Sequence, residues 1–119
     1  ESEQTCAFFN KPYIKAIRVS KDTNILKEVE KYSSAKAILL DTHVEGLLGG
    51  TGKVFDWTMI PRNLSKPIIL AGGLNVDNVK DAIRKIRPYA VDVSGGVESE
   101  KGKKDPKKIK DFINEAINA

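Results

Sequence analysis

A strand–glycine–helix–strand–glycine pattern over 67–98 constrains the fold more than any other part of this sequence. One short apolar run ends in Gly72-Gly73, a helix-type segment follows, and a second apolar run ends in Ser94-Gly95-Gly96. Short, continuous apolar runs are typical of buried parallel strands. Glycine pairs directly after neighbouring strands leave backbone N–H groups open to an anion. The pattern therefore predicts parallel strands with an anion site at their ends, although each pair alone would also fit a tight turn.

Strand-type and helix-type segments alternate along the chain. Strands are predicted at 13–19, 37–40, 67–71 and 90–93, and helices at 1–10, 24–32, 57–60, 76–86 (capped by Asn75) and after the Asp105-Pro106 cap. This order indicates a parallel sheet with right-handed crossovers. Four βα units fit an open doubly wound sheet or half of a (β/α)₈ barrel. A whole barrel needs about 200 residues or more, whereas this chain has 119.

Composition excludes several classes of protein. Hydrophobic content of 40% without a long apolar run excludes a membrane span, and a single cysteine excludes an internal disulfide. The net charge of +4 suits an anionic ligand, but lysine-rich solvated helices give the same value. Lysines near the C-terminus lack interleaved aromatic residues, which favours a solvated helix face over nucleic-acid binding. No metal-ligand spacing is present. Because the chain opens in a helix-type segment without Met, we expect a preceding segment.

Carboxylates lie at or near the carboxyl ends of two of the predicted strands. Asp41 follows the very apolar run Ala37–Leu40, and Asp92 lies within the last strand. Barrel enzymes place their chemistry at such strand ends, where a partly desolvated carboxyl can donate a proton near neutral pH. Asp41 is therefore a candidate general acid, although an Asp at a strand end is often only a turn residue. His43 has no ligand partners beside it and is expected to be solvated.

A glycine-rich stretch, 43–53, follows Asp41. It resembles a P-loop but fails the pattern, because five residues separate Gly46 from Gly52 and Val54 replaces the Ser or Thr that would ligate Mg²⁺. Gly49, Gly50, Thr51 and Gly52 are instead predicted to form a loop over the substrate, with a plain connector as the alternative.

Taken together, several motifs resemble the phosphoribosylanthranilate isomerase family of tryptophan biosynthesis. They are Leu39–Thr42, Gly49–Lys53 with Phe55–Trp57, Leu70–Asn75, Asn78-Val79, Arg87-Pro88, Val91–Glu98 and Lys103–Asp105. These motifs cover nearly the whole chain. One departure is Gly95, where the family commonly has Ser. The resemblance implies the last four βα units of a TIM (β/α)₈ barrel, a half barrel of strands 5 to 8, with 1–119 as the C-terminal portion of one barrel domain.

By this resemblance, the activity is an Amadori rearrangement of N-(5-phosphoribosyl)anthranilate to 1-(2-carboxyphenylamino)-1-deoxyribulose 5-phosphate. Asp41 matches the family's general acid, which opens the furanose ring to a Schiff base. A general base then removes the C2 proton, and the enolamine tautomerises to the ketose. Phosphate and substrate binding would fall to Gly72, Gly73, Asp92, Ser94, Gly95 and Gly96. No cofactor or metal is implied, because the imine is itself the electron sink.

The family's base is a cysteine at the end of strand 1, in a stretch that this chain does not contain. Cys6 is predicted on a helix and cannot replace it. We therefore expect the chain alone to be inactive, with the N-terminal half of the barrel as its missing partner and self-association of half barrels as a further possibility. We expect a cytoplasmic protein with a phosphosugar substrate and no nucleic-acid or membrane partner.

Two alternatives stay open at this point. One is another phosphosugar barrel, such as indole-glycerol-phosphate synthase or a histidine-pathway isomerase. The other is a non-catalytic half-barrel module that binds phosphate.

Overall fold

Parallel strands in sequence order form the centre of the computed structural model, which describes residues 1–43 and 55–119. They are β1 (Ile14–Arg18), β2 (Ala37–Asp41), β3 (Ile68–Ala71) and β4 (Ala90–Val91), paired in the order β1-β2-β3-β4. In this register Arg18 lies opposite Asp41, and Asp41 lies opposite Ala71. The carboxyl ends of the strands therefore meet at one edge of the sheet.

Helices follow or precede these strands. They are α1 (Glu3–Phe8), α2 (Ile25–Lys31), α3 (Val79–Ile86) and α4 (Pro106–Ile117), with 3₁₀ turns at Trp57–Met59 and Gly95–Val97. A separate antiparallel hairpin joins β5 (Glu98–Glu100) to β6 (Lys103–Lys104). Among residues 1–43 and 55–119, no helix is long and apolar enough to cross a bilayer.

The predicted fold class, a half barrel made of strands 5 to 8, is wrong. The described residues form an open four-stranded parallel sheet and a separate two-stranded antiparallel sheet, not four plain βα units. The apolar pattern did not indicate the second sheet, because its strands are short and polar. Residues 100–104 form most of that hairpin, and Gly102 reverses the chain at a φ of 82°. The fold is α/β with a four-stranded parallel sheet.

The core lies on the helix-covered face of the sheet. Ile38, Leu40 and Leu70 are fully buried and pack in one cluster with Val29 of α2 and Val79 of α3. Burying one such side chain contributes about 1.5–3 kcal/mol. Residues that alternate with these in sequence point to the other face, because strand side chains alternate. On that face Ile14 is 55% exposed.

Helix α3 begins later than predicted. Asn75 was expected to cap a helix from Val76, but α3 starts at Val79. The Asn75 side chain instead accepts hydrogen bonds from the backbone N–H groups of Asp77 (2.8 Å) and Asn78 (3.0 Å). Such local side-chain bonds compete with helix formation. The extra turn keeps Asn78 out of the helix and leaves its side chain available to the preceding loop.

Asp105 caps α4 as predicted, and replacing it measures how much this cap contributes to stability. Its carboxylate accepts from the N–H groups of Lys107 (2.9 Å) and Lys108 (3.3 Å), and Pro106 takes the first helical position. We expect Asp105→Ala to lower the free energy of unfolding by about 1 kcal/mol, because a cap bond is lost. Urea denaturation measures this. Asp105→Asn keeps a capping oxygen and should lose far less; an equal loss in both variants would contradict the cap.

Candidate active site

Asp41 lies at the carboxyl end of β2, between Arg18 of β1 and Ala71 of β3. The residue is half-buried. Its Oδ1 accepts a hydrogen bond from the His43 N–H at 3.0 Å, and its backbone oxygen accepts from Val19 at 2.9 Å. His43 itself is exposed, as predicted. The carboxylate is thus held at the sheet edge while part of it stays accessible.

Thr42 connects the end of β2 to the turn after β3 through hydrogen bonds. It is only 2% exposed, and its Oγ1 donates to the backbone oxygens of Ala71 (3.0 Å) and Gly72 (3.1 Å). Its backbone N–H also donates to Ala71 at 2.8 Å. Buried hydroxyls with satisfied bonds fix local geometry. This contact sets the position of Asp41 relative to the first glycine turn.

Gly72 brings that turn directly against Asp41. Its φ is 88°, and a Cβ built on it would lie 2.3 Å from both Asp41 Oδ1 and the His43 nitrogen. No side chain fits there, and the left-handed conformation also favours glycine. Gly73 has a φ of 70°, and a Cβ built on it would have no described atom within 4 Å. Only backbone atoms of this turn therefore approach the Asp41 carboxylate.

Asn78 holds the other side of the same turn. Its Nδ2 donates to the Gly73 oxygen at 2.9 Å, and its Oδ1 accepts from the Asn75 N–H at 2.8 Å. One amide side chain thus bonds two backbone groups of the loop between β3 and α3.

The second glycine turn, Ser94–Gly96, lies against the first. A Cβ on Gly96 would be 1.8 Å from the Leu74 oxygen, so the two backbones are in contact. Within the described part of the chain, the N–H groups of Gly73, Leu74, Gly95 and Gly96 donate no hydrogen bond. Unpaired backbone N–H groups from two adjoining turns can bind an anion together.

Lys104 ties the second turn to the β5–β6 hairpin. Its Nζ donates to the Ser94 oxygen (3.0 Å), to Ser94 Oγ (3.2 Å) and to Glu98 Oε2 (2.8 Å). The Glu98 side chain is 18% exposed, and the hydrogen bond from Lys104 is the main reason that its pKa lies below the usual value. Lys108 of α4 also donates to the Glu98 backbone oxygen at 2.8 Å.

A cleft of about 360 Å³ lies at the opposite edge of the sheet, beside the start of β3 and the residues before β4. It is lined by Arg62, Lys66 and Arg87 among apolar side chains. Arg62 donates to the Lys85 backbone oxygen, and Lys66 donates to that of Ser33. Arg62 and Lys66 thus already have backbone partners, and none of the described residues that line the cleft is a carboxylate. The candidate site is therefore the edge that contains Asp41.

Comparison with known proteins identifies the family. A family model described as N-(5'-phosphoribosyl)anthranilate (PRA) isomerase matches residues 1–115. The chain belongs to the phosphoribosylanthranilate isomerase family. A relative from Pseudomonas fluorescens is 58% identical over 114 residues, which cover 96% of this chain and 56% of the relative. The Azotobacter vinelandii relative is 53% identical and is covered to 58% of its length. The chain thus spans about half the length of the curated isomerases that it matches.

Solved isomerases have the same fold over this chain. The Thermotoga maritima phosphoribosylanthranilate isomerase matches with a TM-score of 0.84 and 41% identity, covering 100% of this chain and 58% of that protein. A second solved isomerase was determined in complex with reduced 1-(o-carboxyphenylamino)-1-deoxyribulose 5-phosphate; its TM-score is 0.79 at 36% identity, over 100% of this chain and 56% of its own.

Some finer expectations find no support in these comparisons. These matches do not support a missing N-terminal half as a partner or the absence of a general base. The alternative of another phosphosugar barrel does not agree with the family assignment.

The predicted site residues are partly brought together. Asp41, the first turn and the second turn adjoin one another at the sheet edge. Asp92 is exposed just beyond β4, and its N–H donates to the Leu70 oxygen at 2.8 Å. Gly49, Gly50, Thr51 and Gly52, the predicted loop over the substrate, lie outside the described residues. Cys6 is half-buried on α1 and packs against the core, as predicted. Among residues 1–43 and 55–119, no cluster of three metal-ligating side chains occurs.

Arg18, Asn78 and Lys104 were not among the predicted site residues. Arg18 could have been found as the one cation that ends an apolar strand, directly opposite Asp41 in the register. Asn78 and Lys104 were seen only as parts of motifs. Their bonds to the glycine turns depend on loop geometry, which sequence spacing does not reveal.

Proposed function

We propose that the protein carrying this chain isomerises N-(5-phosphoribosyl)anthranilate by an Amadori rearrangement. The observation that carries the proposal is the contact between the Asp41 carboxylate and the first of two adjoining glycine turns, whose N–H groups donate to no other residue that the structure describes. This places a proton donor beside an anion site. The family assignment supports the substrate, and a solved relative holds a reduced phosphate-bearing product analogue.

Asp41 is proposed as the general acid. A proton from its carboxyl passes to the furanose ring oxygen as the bond from that oxygen to C1 breaks, and the amine nitrogen lone pair forms the Schiff base. Loss of the C2 proton to a general base then gives the enolamine, which tautomerises to the ketose. The proton given and the proton removed balance. Acid catalysis of this kind typically contributes about 10²–10⁴-fold to the rate.

The two glycine turns are proposed as the phosphate site. Gly72, Gly73 and the Ser94–Gly96 turn present backbone donors without bulky side chains. Hydrogen bonds from several N–H groups to one phosphate are charge-assisted and stronger than neutral ones. The phosphate is carried on C5, whereas the bond that breaks joins the ring oxygen to C1, so the turns can hold the sugar while Asp41 reacts. Asp92 is proposed to contact the substrate from the end of β4.

Binding of the reduced product analogue tests this proposal. Calorimetry should show that reduced 1-(o-carboxyphenylamino)-1-deoxyribulose 5-phosphate binds, and that the same compound without its phosphate binds about 10- to 100-fold more weakly, as expected for the loss of charge-assisted hydrogen bonds. Inorganic phosphate should compete with the phosphorylated analogue. Equal affinity with and without the phosphate would overturn the assignment of the turns.

The remaining expectations stay proposals. They are the covering loop at Gly49–Gly52, a cytoplasmic location, and residues 1–119 as part of a single domain.

A further inference from the structure

In each glycine turn, a backbone carbonyl accepts a hydrogen bond from a side chain that lies later in the chain. Asn78 donates to the Gly73 oxygen at 2.9 Å, and Lys104 donates to the Ser94 oxygen at 3.0 Å. The two contacts come from different elements, the start of α3 and the strand β6. Their common feature is that both fix a peptide group beside N–H groups that have no acceptor among residues 1–43 and 55–119.

The orientation of these peptide groups decides where the donors point. In a trans peptide, the C=O of one residue and the N–H of the next point in opposite directions. A bond that holds the Gly73 oxygen therefore also sets the direction of the Leu74 N–H. A bond that holds the Ser94 oxygen sets the direction of the Gly95 N–H; that oxygen accepts from the Val97 N–H at 3.4 Å and, at the shorter distance of 3.0 Å, from Lys104. Glycine has little intrinsic preference between backbone conformations, so a peptide next to glycine turns over easily without such a bond.

Lys104 is itself held in place. Besides the Ser94 oxygen it bonds Ser94 Oγ and the carboxylate of Glu98, and Lys108 of α4 bonds the backbone of Glu98. Glu98 also balances the charge of Lys104 at 2.8 Å. The ammonium group is thus built into the hairpin as a donor to Ser94, with its charge largely neutralised.

We propose that Asn78 and Lys104 are positioning residues for phosphate: each locks one peptide group so that the Leu74 and Gly95 N–H groups face the same anion. This inference rests on the proposed function, because it assumes that phosphate binds between the turns. Neither residue needs to touch the substrate. Both act through backbone groups.

Amide chemical shifts test separately whether Asn78 and Lys104 each orient one peptide group. Inorganic phosphate titrated into the ¹⁵N-labelled chain should shift the Leu74 and Gly95 amides. In Lys104→Met the Gly95 response should be lost while the Leu74 response persists, and in Asn78→Ala the pattern should reverse. Loss of both responses equally, or of neither, in folded variants would overturn the proposal. If wild-type chain shows no response to phosphate or to the reduced product analogue, it is the proposed function that fails.

Affinity and kinetics supply the second readout. Lys104→Met and Asn78→Ala should each weaken binding of the reduced product analogue about 10-fold, equivalent to about 1.4 kcal/mol. In the enzyme that carries this chain, KM should rise by a similar factor with kcat within about twofold, because phosphate is held equally in the ground and transition states. A fall in kcat at constant KM would contradict a positioning role.

Neighbouring residues provide matched controls. Lys103→Met removes an adjacent exposed lysine, and Asp77→Asn changes the exposed neighbour of Asn78. Both should bind the analogue within about twofold of wild type. Lys104→Arg keeps a donor and should restore most of the affinity. Thermal unfolding identifies any variant that does not fold; if Lys104→Met is one, Asn78→Ala still decides the matter at the other turn.

Glu98→Gln separates positioning from simple charge attraction. If Lys104 acted through its charge, removing the neutralising carboxylate would tighten phosphate binding. If it acts by holding Ser94, loosening its partner should leave the affinity unchanged or weaken it severalfold. Tighter binding by Glu98→Gln would therefore overturn the proposal.

Discussion

Replacing Asp41 with asparagine is expected to lower kcat of the enzyme that carries this chain by about 10²–10⁴-fold, the range that general acid catalysis contributes. Asparagine has nearly the same shape and keeps an oxygen that can accept from the His43 N–H. It cannot give up a proton to the ring oxygen. The packing of Gly72 against this side chain should survive, since the contact is with Oδ1.

Binding separates loss of chemistry from loss of the site. Asp41→Asn should bind the reduced product analogue within a few-fold of wild type, because the glycine turns are unchanged. Asp22→Asn, at an exposed turn before α2, is the matched control and should keep full activity. Chromatographic separation of substrate and product measures the rates. A rate for Asp41→Asn within tenfold of wild type would show that Asp41 is not the general acid.

Gly96→Ala is expected to cost stability as well as ligand binding. Its Cβ would lie 1.8 Å from the Leu74 oxygen and 3.0 Å from the Asn75 Cα, so one of the two turns has to move. Overpacking against backbone typically costs about 1–3 kcal/mol. We expect the urea midpoint to fall accordingly, with an unchanged m-value. Separation of the turns should also abolish binding of the product analogue.

Gly95→Ala provides the matched control one residue away. The nearest atom to its Cβ would be Glu98 Oε1 at 3.9 Å, an ordinary contact. Its φ is not in the left-handed region, so alanine should be neutral or stabilising by up to about 1 kcal/mol. Equal losses in both variants would mean that the turns are not packed as described.

Much of the secondary structure follows from local patterns. The predicted strands agree with β1, β2 and β3 to within a residue or two, because short apolar runs and their terminating polar residues are local signals. The cap at Asp105 also agrees, since its side chain bonds the backbone two and three residues ahead. The start of α3 was misplaced because Asn75 and Asn78 both bond the backbone locally, and spacing alone does not decide between them.

The fold class and the β5–β6 hairpin could not be predicted from local sequence patterns. The number of strands in one sheet depends on pairing between distant segments, and the polar strands β5 and β6 carry no apolar alternation. The motif resemblance led to the family, which the comparisons confirm over residues 1–115. The added expectation of a half barrel was wrong because it treated the last unit as a plain strand and helix.

The sequence by itself determined the family, the apolar strands, and the placement of Asp41 and two glycine turns at strand ends, because these depend on residue type and on neighbours close in the chain. Only the tertiary structure decided that Gly72 packs on Asp41, that Gly96 packs on Leu74, and that Lys104 reaches Ser94. These contacts form between loops from different strands. Their geometry is set by strand register and by the close approach of backbones, which residue identity permits but does not specify.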